Sequence, residues 1–145
     1  MEIFLVFNSK TLSKFDLFVK SSIDKNNLVV NFEDENMFTI LKSGSVSGID
    51  GSVIDVEVDI SKGMPAFSIV GLPDNAVKES KERVRTAIIN SGHLFPQNRI
   101  TINLAPAGIR KEGAGFDLPI ATAIIASIYS METDKIDDIF FFIRF

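Results

Sequence analysis

The chain has 145 residues, 46% of them hydrophobic and 23% charged, which suits one soluble domain with a modest core and excludes wholesale disorder. A net charge of -4 excludes a whole-chain attraction for nucleic acid, although a local basic patch is compatible with it. The absence of cysteine removes disulfides, thiolate metal sites and a cysteine nucleophile, and the single histidine, His93, leaves too little for a histidine metal site or a Ser-His-Asp triad.

The first 36 residues are rich in Phe, Asn, Ser and Lys, contain no Gly or Pro, and end near the acidic run Glu33-Asp34-Glu35. The apolar run Ile3 to Phe7 has no preceding base and no small-residue cleavage site, so it is a poor signal peptide. Further on, either a short strand over Leu28 to Phe32 or a helix over Leu12 to Ser22 is consistent with the residues. No apolar run approaches the roughly 18 residues of a membrane-spanning helix. The expected location is the cytoplasm, with no membrane partner.

From Met37 the pattern sharpens. Ser43 to Ile49 is strand-like, and Asp50-Gly51 predicts a hairpin turn. Over Val53 to Ile60, Ile54, Val56, Val58 and Ile60 alternate with Asp55, Glu57 and Asp59, the signature of a strand with one buried face. Residues 62–65 turn the chain, and Ala66 to Val70 is a third strand. Gly71 and Pro73 then stop it, and Asp74 is placed to cap a helix running to about Asn90. Val77, Val84 and Ile88 form its apolar stripe, with Ala87 filling it, and Gly92 ends it. Ile100, Ile102 and Leu104 mark a fourth strand. A glycine-rich loop from Ala105 to Phe116 leads to Asp117, the expected cap of a second, more apolar helix through Ile128, and Ile139 to Phe145 reads as a strand. Hairpin strands followed by strand–helix alternation predict an α+β sandwich with helices on one sheet face.

Gly108 and Gly113 have P-loop spacing, but Ala114 and Gly115 occupy the positions where Lys and Ser/Thr meet phosphate and Mg²⁺. Asp55, Glu57 and Asp59 line up as oxygen donors, yet alternate strand residues lie about 7 Å apart, which favours a solvated face over one ion site. The stretch from Asp74 to Lys111 carries more bases than acids. Lys78, Lys81 and Arg85 share one helix face, expected to lie opposite the apolar stripe, while Arg83 lies elsewhere around the helix. Together with Arg99, Arg110 and Lys111 they form a patch able to track phosphates, against the plainer reading of a solvated face partly neutralised by Glu79 and Glu82. His93, just after Gly92, is expected in a surface loop.

Several stretches occur in an order that resembles one family: Val56 to Gly63, Pro65 to Asp74, Val77 to Ser80, Arg83 to Arg85, Ile102 to Ala107, Lys111 to Gly113 and Phe116 to Ala121. The combination is similar to the N-terminal domain of the ComM/YifB group of Mg-chelatase-like AAA+ ATPases, over roughly Met37 to Asp138. The resemblance implies a ribosomal protein S5 domain 2-like fold, related to the proteolytic domain of Lon. It implies a hexameric parent that uses ATP and Mg²⁺ in a downstream module and migrates DNA branches in natural transformation. The implied partners are that ATPase module or hexamer, and DNA, with no cofactor held by this chain. Residues 1–36 do not resemble the family, so they are expected to be a leader from an over-extended start, with 37–145 a domain cut off before the ATPase. Aligned with the Lon segment, Gly115 falls at the nucleophilic serine and the partner lysine falls beyond Phe145, which implies a hydrolase-like fold without its chemistry. The expected role is a non-catalytic accessory domain. A Lon-like domain with a lost site, a magnesium-handling module and a non-functional gene remnant are the rival readings.

Overall fold

In the computed structural model, residues 2–6, 37–47, 49–131 and 140–144 are described. Strands β1 (Glu2–Val6), β2 (Met37–Ser47), β3 (Asp50–Ser61), β4 (Ala66–Val70), β5 (Arg99–Ala105) and β6 (Phe140–Arg144) form one mixed sheet in the order β1-β6-β2-β3-β5-β4. Pairing is antiparallel between β2 and β3 and between β3 and β5, but parallel between β4 and β5 and between β2 and β6. The chain is therefore α+β with a mixed sheet. The stretches placed at 28–32 or 12–22 lie outside the described residues, whereas the apolar run near the N-terminus supplies β1, which pairs with β6.

The alternation in β3 is realised in full. Ile54, Val56, Val58 and Ile60 are completely buried, and Ile100, Ile102 and Leu104 of β5 continue the same face. Leu41, Phe67 and Ile69 extend it on the flanking strands. Helices α1 (Asn75–Lys78), α2 (Ser80–Asn90) and α3 (Asp117–Ile128) and the 3-10 turn η1 (Ala114–Phe116) cover that face. Phe116, Ile120, Ala123 and Ile124 reach the core from η1 and α3. Burying a Leu- or Ile-sized side chain contributes about 1.5–3 kcal/mol, so these rows dominate stability.

Three local expectations shift. Ser47 pairs with Asp50 and Val46 with Gly51, so Asp50 and Gly51 lie inside β3 and not at the hairpin tip. The long register of β2 with β3 prevails over the local turn preference of that dipeptide. Ser80, not Ala87, joins Val77, Val84 and Ile88 in the buried row of α1 and α2, because Ala87 lies on the exposed side. Asp117 is the first residue of α3 and makes no cap hydrogen bond. Its carboxylate is engaged elsewhere.

Candidate functional site

The motif residues converge on one corner, where β4 runs into α1. At Gly71 the chain takes φ +95°, and a Cβ there would stand 2.2 Å from the Leu104 carbonyl oxygen, so only glycine fits against β5. Leu72 follows at φ 60°. These turns bring Pro73 beside Lys111 in an isolated parallel bridge. The Lys111 N–H donates to the Leu72 carbonyl at 3.3 Å, and the Asp74 N–H donates to the Lys111 carbonyl at 2.9 Å.

Asp74 then works twice. One carboxylate oxygen accepts from the Val77 N–H at 2.8 Å, capping α1, and the other accepts from the Gly113 N–H at 3.1 Å. A single side chain thus fastens the helix start to the glycine-rich loop. Lys111 closes the corner from within. It is fully buried, and its ammonium donates to the Pro106 carbonyl. Burial holds its pKa below the ordinary lysine value, because desolvation penalises the charged form. The cation expected at the surface is thus turned inward, and it does not join the exposed bases.

Arg83 makes the matching link between helices. Its Nε and Nη2 meet the two Asp117 oxygens at 2.6 and 3.1 Å, and Nη2 also donates to the Ala76 carbonyl at 2.8 Å. The hydrogen bond to Asp117 raises the Arg83 pKa further above its ordinary value. This fork sits at the positive end of α3, where a carboxylate is favoured, and it explains why Asp117 does not cap.

Around α1 and α2 each residue advances by about 100°. The buried row is Val77, Ser80, Val84 and Ile88, so Lys78, Lys81 and Arg85 lie one step to its side. They flank the core stripe and do not oppose it. Glu79, Glu82 and Thr86 occupy the far side, and Arg83 takes the other flank, toward α3. All three flank cations are exposed. Arg85 lies 5.2 Å above the Phe95 ring centroid, and Phe95 stacks on Phe67 of β4 with centroids 6.3 Å apart.

Ion pairing separates the predicted bases. Arg110 pairs with Glu112 at 3.1 Å, both exposed. Arg99, exposed at the start of β5 beside Ala66, forms no ion pair among the described residues, and neither do Lys78, Lys81 and Arg85. On the sheet face away from these helices two of the carboxylates have polar partners. Lys42 pairs with Asp55 at 3.1 Å, and the Asn103 amide donates to Glu57 at 2.7 Å. Among the described residues no cluster of three or more His, Cys, Asp or Glu is placed to hold a metal. His93 lies half-buried in the loop after α2, with Nδ1 2.9 Å from the Tyr129 hydroxyl, so it joins the end of α2 to the end of α3. No helix among the described residues is long and apolar enough to cross a membrane.

Sequence reasoning missed Asp74 as a double anchor, the Arg83–Asp117 fork and the inward Lys111. A signal for the fork was present, since Arg83 stands off the Lys78–Lys81–Arg85 face. The partner of Lys111 is a main-chain carbonyl, which no residue pattern announces.

Residues 56–143 match the family described as subunit ChlI of Mg-chelatase. The chain is 48% identical over 100 residues to the uncharacterized protein YifB of Escherichia coli (strain K12), covering 69% of this chain and 20% of that protein. It is 47% identical over 88 residues to the competence protein ComM of Haemophilus influenzae, covering 61% of this chain and 17% of ComM. An uncharacterized protein of Mycobacterium tuberculosis (strain ATCC 25618 / H37Rv) is 36% identical over 96 residues, covering 66% of this chain and 19% of its own length. The chain thus spans about a fifth of the length of the curated relatives it matches.

Proposed function

Because the chain belongs to the Mg-chelatase ChlI family, in the Mg-chelatase-like group of ComM and YifB, we propose that it is a non-catalytic accessory domain of an AAA+ ATPase that acts on DNA. ATP and Mg²⁺ belong, on this reading, to a separate ATPase module, and that module or its hexamer is the domain's protein partner, in the cytoplasm. We read the mixed sheet with helices on one face as S5 domain 2-like and related to the Lon proteolytic domain. Gly115, at the position that alignment gives to a nucleophile, has no side chain to attack with. The similarity to a competence protein is in keeping with the DNA role that the family resemblance implies.

The observation that carries the DNA reading is the flank of Lys78, Lys81 and Arg85, which has no ion-pair partner among the described residues. Arg99 adds a fourth cation with no ion pair among the described residues, and Arg110 adds one paired with Glu112. Such groups bind phosphate without sequence preference, and binding falls steeply with salt. One isolated domain lacks the avidity of a hexamer, so affinity is expected near that of non-specific binding, on the order of tens of micromolar or weaker.

The test is a salt titration of single-stranded and forked DNA binding for the chain and for Lys78→Ala/Lys81→Ala/Arg85→Ala. The log–log slope should fall by about 0.7 for each cation removed on a single strand. An unchanged affinity and slope would reduce the flank to a solvated surface and leave docking onto the ATPase module as the function.

A further inference from the structure

The three flank cations are not held alike. Lys78 and Lys81 form no side-chain hydrogen bond or ion pair among the described residues, whereas the Arg85 guanidinium rests over Phe95, itself stacked on Phe67 at an interplanar angle of 18°. Phe67 belongs to β4 and packs against the core, and so does Phe95. The pair is therefore a ring platform anchored in the fold, with a guanidinium laid on its outer ring. Arg85 has no carboxylate partner among the described residues, so the ring contact fixes the cation without neutralising it. The row then turns apolar: Ile89, one helical turn beyond Arg85, is 48% exposed, and Leu94, just before Phe95, is 65% exposed.

Resting on the DNA reading above, we propose that Phe95, backed by Phe67, is a positioning residue that presents Arg85 to a phosphate of single-stranded nucleic acid. An ungrouped arginine loses rotamer freedom when it grips a phosphate, and a prepositioned one loses less. The apolar neighbours select the ligand's form. A duplex offers phosphates and groove edges, whereas unstacked bases offer flat apolar faces for Ile89 and Leu94 to meet.

The experiment uses the full chain, a fluorescein-labelled oligothymidylate and a blunt duplex of equal length. NMR first reports the contact without DNA. Ring currents should shift the Arg85 side-chain protons upfield in the parent and in Phe95→Tyr, and Phe95→Leu should abolish the shift. Persistence of the shift in Phe95→Leu overturns the positioning role whatever DNA does. In anisotropy titrations, Phe95→Leu should weaken oligothymidylate binding about 2–5-fold, the equivalent of an exposed cation–π contact, and Phe95→Tyr should bind like the parent. In an Arg85→Ala background, Phe95→Leu should cost nothing further. Additive losses would mean the ring meets the ligand directly and would overturn the proposal. Equal affinity for the duplex would overturn the single-strand preference. If the triple cation variant binds like the parent, the DNA reading fails, and the NMR comparison still decides whether Phe95 holds Arg85. Should Phe95→Leu lower Tm appreciably, Phe95→Met, which fills the same space without a ring, replaces it in both measurements.

Discussion

The motif corner and the basic flank adjoin the same helices, and they use similar residues for opposite ends. At the corner, Lys111 is turned inward to the Pro106 carbonyl and Arg83 is held by the Asp117 carboxylate. On the flank, Lys78, Lys81 and Arg85 have no ion-pair partner among the described residues. Residue type alone does not distinguish structure from binding here. What distinguishes them is whether the fold already supplies the counter-group. Corner substitutions should therefore change stability, and flank substitutions should change ligand binding.

The largest effect expected is Gly71→Ala. The added Cβ meets the Leu104 carbonyl at 2.2 Å, and the positive φ adds strain, so a loss of roughly 3 kcal/mol or more is expected in urea unfolding. A loss below 1 kcal/mol would show that the β4–β5 crossover relaxes easily. Lys111→Ala comes next. It opens a cavity and removes one of the two donors to the Pro106 carbonyl, which keeps the Ile109 N–H, for about 2–4 kcal/mol.

Lys111 also sharpens the contrast through pH. Its pKa is lower in the folded state than in the unfolded chain, so the unfolded chain holds the extra proton between the two values. Stability from this group therefore rises as pH climbs through the folded value toward the ordinary lysine value. It is lost again as pH falls through the folded value. Lys111→Met should flatten that alkaline rise in chemical denaturation, whereas Lys81→Met on the flank should leave it intact.

Asp74→Ala removes a helix cap and the Gly113 anchor together, with an expected loss of about 1–2 kcal/mol. The smallest stability effect belongs to the flank. Lys78→Ala/Lys81→Ala/Arg85→Ala should shift unfolding by no more than about 0.5 kcal/mol per site while lowering the salt slope of DNA binding. A large destabilisation would erase the division between the two regions.

Much of the fold was legible because burial imposes periodicity. The alternation from Ile54 to Ile60 and from Ile100 to Leu104 could be read directly, as could the stop-and-start at Gly71-Leu72-Pro73-Asp74. The pattern was opaque wherever a polar side chain chose between local and distant partners. Asp117 reads as a cap, yet an arginine one helix away offers a charged fork. Asp50-Gly51 reads as a turn, yet the register along β2 and β3 places it within the strand. Of the six predicted bases, the flank trio was legible as a helical face, whereas the inward course of Lys111 depends on a loop path that no spacing encodes.

The pairing of β2 with its two neighbours carries a consequence for how the chain finds this arrangement. Its contacts with β3 join two consecutive strands, whereas its contacts with β6 bring Lys42 and Ser43 to Phe140 and Phe141. Loop-closure entropy makes the first pairing cheap and the second slow. A refolding chain should protect the amides of the β2–β3 hairpin before those of β6, which pulse-labelled hydrogen exchange would resolve. The sheet then grows outward from β3, and the β6 side is the last to be ordered and the first to open.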